Sequence, residues 1–509
     1  MIWPSQGTSS WKSALALAAL ASTVLLGCGK SDPPKAATAH PKNVLLLVAD
    51  TLRANRLGCY GYARPTSPHI DQLAARGTLY RHSYSQACWT VPSMISLMTG
   101  LSVTQDETVL PAQFSVIGET LHAHGMETAA FPANGTLSTD RGFQRGFDVF
   151  SPAPRADALT VAARFADWYA GRTRKIAQGA TARPFFAWVH FLDPHQPYAP
   201  APEHDVFHGP RPDQEELVAR WRRELPRVAQ LSPKLAPQAF EDSVKQMVEQ
   251  SNLYDGEVLA VDDGVGRILE ALRASGELDS TLVIFCADHG EMLFEHTVQP
   301  FMVEESLQRF GGLPEGVKNL FGNGHRPWYF EDLWNTPLIF AGPGFPAGAK
   351  LDGLAANLDL YPTILEALDL PAPAFLQGES LWTGVQPKRE RVFAYNHPTS
   401  SVRERSGKKL TLQPRQLYLL QAEGESVAEL YDTAADPLEE RELSAANAAE
   451  VARLRGEIER WRAANDRAVS TETSPEQRKV LIQMGYVGEG EGEAKRPPAK
   501  AAGGVRRDH

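Results

Sequence analysis

The segment at residues 87–94, ACWTVPSM, holds two side chains that could act as nucleophiles. Cys88 offers a thiol and Thr90 a hydroxyl, and both come shortly before Pro92, near which a helix is predicted to start. Either group would attack an ester only if a neighbouring base or cation lowered its pKa. The segment by itself leaves the choice between the thiol and the hydroxyl open.

Acidic side chains follow two of the apolar segments that read as buried strands. Asp50 comes directly after NVLLLVA, and the pair Asp288-His289 comes directly after TLVIFCA. A lone acid at such a point is often only a helix cap, but parallel sheets place their ligands beyond the carboxyl ends of the strands. Two carboxylates and an imidazole at that edge therefore predict a divalent metal site.

Short apolar runs alternate with helix-like segments along most of the chain. The predicted strands are residues 43–50, 128–131, 185–191, 281–288 and 337–342. Between them apolar residues recur three or four positions apart, as in the segment from Val258 to Leu272. This alternation predicts an α/β fold with a mostly parallel central sheet and helices on both faces.

The composition and the predicted secondary structure change outside these alternating segments. Residues 203–250 are polar and are predicted to form an insertion near the mouth of the cleft. From residue 388, short strand-like pieces and one helix predict a smaller C-terminal α+β subdomain over 388–487. Residues 488–509 are rich in Gly, Glu, Lys and Pro, and we expect this tail to be disordered.

The N-terminal segment has the features of a secretion signal. An apolar run follows Lys12 and ends at Cys28, which makes residues 1–27 a predicted signal peptide. The tetrapeptide LLGC at residues 25–28 resembles a bacterial lipobox, in which the cysteine is lipidated; the alternative is a plain cleaved signal with a chance cysteine. Residues 28–41 would then be a tether, and we expect a lipoprotein of the cell envelope that faces the periplasm or the exterior.

Five motifs, in this order, resemble the sulfatase family of the alkaline-phosphatase-like superfamily. They are NVLLLVADTLRANRLGCYGYARPTSPHIDQLAARG, WTVPSMISLMTG, HFLDPHQPYAP, ADHGEMLFEH and LDLYPTILEALDLP. The resemblance covers residues 42 to about 385, so we expect a sulfatase-type catalytic domain over 42–387. The set is specific for the fold but less so for the substrate, since the superfamily also holds phosphatases, phosphodiesterases and headgroup transferases.

The family's signature implies which side chain is the nucleophile. The signature is Cys or Ser followed by x-Pro-x-Arg, and its alignment on Pro92 puts Thr90 at the nucleophile position. Cys88 then becomes a packed neighbour, and Met94 stands where the family has Arg. In sulfatases the oxidised cysteine carries two hydroxyls and expels sulfate by itself. Thr90 has a single hydroxyl, so water or another acceptor must open its covalent intermediate.

The resemblance also implies a metal site made of Asp50, Thr90, Asp288 and His289. The family has a second Asp where Thr51 stands, and an Asn where His289 stands. Because an imidazole replaces an amide oxygen, we expect one divalent ion, with Zn or Mn favoured and Ca as the alternative.

Three further polar residues fall at family positions that contact the transferred group. His195, in DPHQPY, and His325, in GNGHRPWYF, are expected to hold that group or to protonate the leaving oxygen. His325 could instead help to bind a second metal together with Asp193. Asn134 lies where the family has a Lys-x-His anchor, and it is either a substrate-binding amide or a residue of a turn.

These features predict a metal-dependent hydrolase of sulfate or phosphate esters. Its substrate would be a small-molecule, glycan or lipid ester, and its membrane contact would be the lipid anchor. The net charge of −10 makes a general nucleic-acid surface an unlikely partner. The alternatives are an envelope phospholipid-headgroup transferase and a non-catalytic lipoprotein that binds an anionic ligand. The sequence predicts no oligomeric state.

Overall fold

The computed structural model describes most of the chain, with several gaps. The described residues are 39–104, 107–211, 214–219, 237–297, 321–325, 328–396, 399–414 and 426–466. The predicted signal peptide, Cys28 with its predicted lipidation, and the tail at 488–509 lie outside them. No helix among the described residues combines the length and the apolar character needed to cross a membrane.

The chain alternates between strands and helices, as the apolar runs predict. The strands are β1 (Asn43–Ala49), β2 (Gly77–Tyr84), β3 (Glu127–Pro132), β4 (Val149–Phe150), β5 (Phe185–Phe191), β6 (Thr281–Ala287), β7 (Met292–Thr297), β8 (Phe321–Gly324), β9 (Asn335–Ala341), β10 (Ala349–Ala356), β11 (Arg391–Asn396), β12 (Thr399–Glu404), β13 (Lys408–Pro414) and β14 (Ser426–Asp432). The helices are α1 (Pro68–Ala75), α2 (Thr90–Thr99), α3 (Ile117–Ala123), α4 (Ala158–Ala177), α5 (214–219), α6 (Pro237–Ala274), α7 (Glu331–Trp334), α8 (Leu360–Ala367) and α9 (Ala448–Asn465). The polar residues 237–250, predicted as part of an insertion, form the first turns of α6.

Eight strands form the central sheet, in the order β10-β2-β9-β6-β1-β5-β3-β4. Strand β9 runs antiparallel to β2 and to β6, and the other neighbours are parallel. The predicted α/β fold with a mostly parallel sheet is therefore confirmed. Strands β11 to β14 form a separate antiparallel sheet, which packs with α9 as a smaller α+β unit.

The side chains of the central strands alternate between two buried layers. In β1, Leu45 and Leu47 belong to one apolar cluster, which α1, α4 and α6 complete. Leu46 and Val48 belong to the other cluster, which α2, α3 and α8 complete. Helices therefore cover both faces of the sheet. Because β1 and β6 are buried on both sides, each is apolar from its second residue to its carboxyl end.

Candidate active site

The candidate site lies where three neighbouring strands end on the face covered by α2. Val48 of β1 is in register with His190 of β5 and with Cys286 of β6. Side chains two positions apart in a strand share a face, so Asp50 and Asp288 follow Val48 and Cys286 on this side. Donor atoms of Asp50, His190 and Asp288 lie within 4.8 Å of one another, and all three side chains are fully buried.

Thr90 is the first residue of α2, and its hydroxyl lies beside Asp50 and His289. Its Oγ1 is 3.4 Å from Asp50 Oδ1 and 3.4 Å from His289 Nε2. Helix α2 packs its apolar residues against the sheet and ends at Gly100, which has a φ of 68°. The sheet and the helix together hold a hydroxyl, two carboxylates and an imidazole in a buried cluster.

The imidazole of His289 is fixed by a contact on its far side. Its Nδ1 lies 2.9 Å from the Gly290 carbonyl oxygen, so Nδ1 carries a proton and donates it to that oxygen. In the neutral ring, Nε2 then presents its lone pair, 3.7 Å from Asp50 Oδ1 and 3.7 Å from Asp288 Oδ2. Burial lowers the pKa of His289 to about 4, so the neutral, metal-binding form prevails at pH 7.

The donor set fits a divalent cation. Burial and the neighbouring carboxylate of Asp288 raise the pKa of Asp50 well above its usual value. Asp288 Oδ2 has no hydrogen-bond partner among the described residues, although the side chain is fully buried. Two buried carboxylates at this distance require a positive charge or a shared proton. The predicted ligands Asp50, Thr90, Asp288 and His289 thus lie close together, beside one buried carboxylate oxygen that has no hydrogen-bond partner among the described residues.

Asn134 contacts this cluster directly. It follows the end of β3, and its Nδ2 donates to Asp50 Oδ2 at 2.6 Å and to Thr90 Oγ1 at 3.3 Å. Its Oδ1 accepts hydrogen bonds from the backbone N–H and the hydroxyl of Thr136, at 2.9 and 2.7 Å. The amide group therefore orients the Thr90 hydroxyl and the Asp50 carboxylate, while the substrate contact predicted for Asn134 stays a prediction.

His195 and His325 lie beside the cluster, with Glu291 between the elements that carry them. The ring centroids of His195 and His325 are 4.8 Å apart, and those of His325 and His289 are 4.7 Å apart. His325 Nδ1 is 3.3 Å from Glu291 Oε1. Burial raises the pKa of Glu291 to about 7, so this carboxyl can exchange a proton near neutral pH.

Sequence reasoning missed His190 and Glu291 as members of the site. His190 ends the alternation Phe186, Trp188, His190, whose first two members belong to the cluster under α2. That alternation was a usable signal, because a polar residue at the end of a buried face points to the same edge as Asp50. Glu291 follows His289 by two positions, but no strand pattern indicates its direction.

Cys88 lies outside the cluster of donor atoms. It packs in a separate apolar group with Tyr84, Trp334 and neighbouring residues, and its Sγ lies 3.7 Å from the Leu333 carbonyl oxygen. Burial raises the pKa of the Cys88 thiol well above its usual value, so the thiolate needed for attack is disfavoured.

Comparison with known proteins identifies the family. The family model described as Sulfatase matches residues 42–370. N-sulphoglucosamine sulphohydrolase of Homo sapiens is 26% identical over 405 residues, which are 72% of this chain and 72% of that protein. The multifunctional alkaline phosphatase superfamily protein PehA of Trinickia caryophylli is 24% identical over 421 residues, 67% of this chain and 76% of that protein. The chain belongs to the sulfatase family.

Solved structures show the same fold. A structure described as bound to its substrate D-glucosamine-2-N,6-O-disulfate covers 84% of this chain and 99% of its own, with a TM-score of 0.63 and 19% identity. The phosphonate monoester hydrolase of Agrobacterium radiobacter covers 84% of this chain and 96% of its own, with a TM-score of 0.59 and 20% identity. The predicted class, a sulfatase-like ester hydrolase, is confirmed at the level of the family.

Proposed function

We propose that the chain hydrolyses sulfate or phosphate esters, with the Thr90 hydroxyl as the nucleophile. The observation that carries the proposal is the position of Thr90 Oγ1, 3.4 Å from both Asp50 Oδ1 and His289 Nε2. A threonine hydroxyl is a weak nucleophile at neutral pH unless its surroundings favour the loss of its proton. These contacts, together with membership of the sulfatase family, support an activated Thr90.

In the first step, the attack of Thr90 on the ester, each residue of the cluster has a different role. The Thr90 hydroxyl faces Asp50, whose carboxylate accepts the proton as a bond forms between Thr90 Oγ1 and the sulfur or phosphorus. Backbone N–H groups at the start of α2 are suited to the negative oxygens of the transferred group. A divalent ion held by Asp50, Thr90, Asp288 and His289 would supply the positive charge that stabilises the attacking and transferred oxygens.

The leaving oxygen takes a proton from the second group of residues. His195, His325 and Glu291 lie on one side of the cluster, and the pKa of Glu291 near 7 suits a proton donor. The bond from sulfur or phosphorus to the ester oxygen breaks as the alcohol leaves. Because Thr90 has no second hydroxyl to expel the group, water attacks the sulfur or phosphorus and gives its proton to the residue that protonated the leaving oxygen. The bond to Thr90 Oγ1 breaks, this oxygen takes back the proton held by Asp50, and sulfate or phosphate is released.

The donor types favour a transition metal. Imidazole nitrogen binds Zn and Mn better than Ca, which prefers a shell made only of oxygen. We therefore propose one divalent ion, Zn or Mn rather than Ca, at the ends of β1 and β6.

A hydrolysis panel tests the proposal. The wild-type protein, loaded in turn with Zn²⁺, Mn²⁺ and Ca²⁺, is assayed with an aryl sulfate, a phosphate monoester, a phosphodiester and a phosphonate monoester. We expect turnover of at least one class, its loss in Thr90→Ala and its retention in Cys88→Ala. Comparable losses in both variants, with the fold intact by circular dichroism, would overturn the assignment of Thr90.

We further propose that Cys28 is lipidated and tethers the enzyme to a membrane of the cell envelope, where it would act on a small-molecule, glycan or lipid ester. The support is the LLGC tetrapeptide after an apolar run and the polar segment that follows it. Labelling of cells with a radioactive fatty acid should mark the wild-type protein and leave Cys28→Ala unmarked. Equal labelling of both would contradict the anchor.

A further inference from the structure

His190 is a fully buried imidazole without a hydrogen-bond partner among the residues that the structure describes. Neither Nδ1 nor Nε2 makes a hydrogen bond with the described residues, and the exposed fraction of the side chain is 0%. The ring stands edge-on to Trp188, with 6.2 Å between centroids, where the apolar layer of the sheet meets the buried carboxylates Asp50 and Asp288. Burial of a polar group without a hydrogen bond costs free energy of folding. We therefore expect a ring nitrogen of His190 to bind something other than the protein atoms around it.

The atom that faces His190 Nε2 indicates what the ring binds. Nε2 of His190 lies 3.8 Å from Asp288 Oδ2, too far for a hydrogen bond. Asp288 Oδ2 is itself a buried oxygen for which the described part of the chain offers no hydrogen-bond partner. A ring nitrogen and a carboxylate oxygen, neither with a hydrogen-bond partner among the described residues, therefore face each other across a gap at the ends of β5 and β6.

The spacing of the donor atoms matches a shared cation. His190 Nε2 to Asp288 Oδ2 is 3.8 Å, and His289 Nε2 is 3.7 Å from Asp288 Oδ2 and from Asp50 Oδ1. Ligands at about 2.1 Å from one tetrahedral ion are about 3.4 Å apart. The separations are therefore close to those of atoms that contact a common centre.

We propose that His190 is a further protein ligand of the divalent ion in the proposed site. This inference rests on the proposed function, since it assumes that Asp50, Asp288 and His289 hold a metal. With His190, the donors become two carboxylates and two imidazoles in addition to the Thr90 hydroxyl. Such a set selects Zn²⁺ or a similar transition metal over Ca²⁺.

Metal binding to His190→Ala and His190→Asn tests the inference. His82→Ala is the matched control, because His82 lies in the same sheet on β2 and has Arg403 and Glu331 as its charged neighbours. The dissociation constant for Zn²⁺ is measured by competition with a chromophoric chelator, and Co²⁺ loading is followed by its visible absorption. Melting curves without metal establish that each variant is folded.

We expect both His190 variants to bind Zn²⁺ at least about 10-fold more weakly and to change the visible spectrum of bound Co²⁺. Ca²⁺ affinity should change less, and His82→Ala should match the wild type. Wild-type Zn²⁺ affinity and an unchanged Co²⁺ spectrum in both His190 variants would overturn the inference. If Asp288→Ala nevertheless lost Zn²⁺ binding, the proposed metal site would still be supported, without His190 as a ligand. Failure of the wild-type protein to bind any divalent ion would instead contradict the proposed function itself.

Discussion

Replacement of Asn134 by alanine separates two roles for this residue. Its Nδ2 donates to Asp50 Oδ2 at 2.6 Å, and a hydrogen bond to a charged buried group is worth about 1.5–3 kcal/mol. If that bond holds Asp50 and Thr90 in the reactive arrangement, Asn134→Ala should lower kcat by about 10- to 150-fold. KM should change little, because the amide already bonds to protein atoms.

Steady-state kinetics on the best ester of the panel provide the measurement, and Thr136→Ala is the control. The Thr136 hydroxyl donates to Asn134 Oδ1, while a backbone N–H donates to the same oxygen, so this variant keeps one of the two bonds. We expect it to lose less than about 10-fold in kcat. A rise in KM for Asn134→Ala with wild-type kcat would refute the positioning role and favour direct substrate binding.

Three further results are expected. Removal of divalent ions by a chelator should lower the melting temperature, because Asp50 and Asp288 lose the positive charge between them. Addition of Zn²⁺ should restore the melting temperature. A melting temperature that changes with neither treatment would count against the metal site. Cys88→Ala should cost about 1–2 kcal/mol of unfolding free energy in urea titrations, since it removes only a packed, buried thiol. Burial and the nearby charge of Glu442 raise the pKa of Glu429 to about 8, so the folded protein binds more protons than the unfolded chain and stability should fall as pH rises from about 5 to 8. Urea titrations across that range should show a weaker pH dependence in Glu429→Gln, and identical slopes would contradict this reasoning.

Five of the eight strands of the central sheet were accessible from the sequence because they are buried on both faces, whereas β2, β4 and β10 were missed because exposed or half-buried residues interrupt or shorten their apolar runs. Continuous apolar runs such as residues 43–49 and 281–287 mark such strands, and the helices between them fix the parallel direction. The antiparallel strand β9 was predicted as a strand, but its direction depends on a register that one sequence does not encode. The sequence also did not predict that α6 starts at Pro237, because the first turns of this helix are polar.

The site was predictable where a polar residue ends an apolar run. Asp50 and Asp288 follow this rule, and the family resemblance supplied Thr90, His195 and His325. The missing members depend on contacts between elements distant in the chain. His190 belongs to the cluster only once β5 is known to lie beside β1, and the bond from Asn134 to Asp50 joins residues that lie 84 positions apart.

Identification of the side chain that carries the transferred group tests the central claim most directly. The protein is mixed with an excess of its best ester, stopped with acid during the first turnover, digested and analysed by peptide mass spectrometry. We predict a sulfuryl or phosphoryl group on the hydroxyl of Thr90. A burst of released alcohol with the group on Cys88, or on any side chain other than Thr90, would contradict the account.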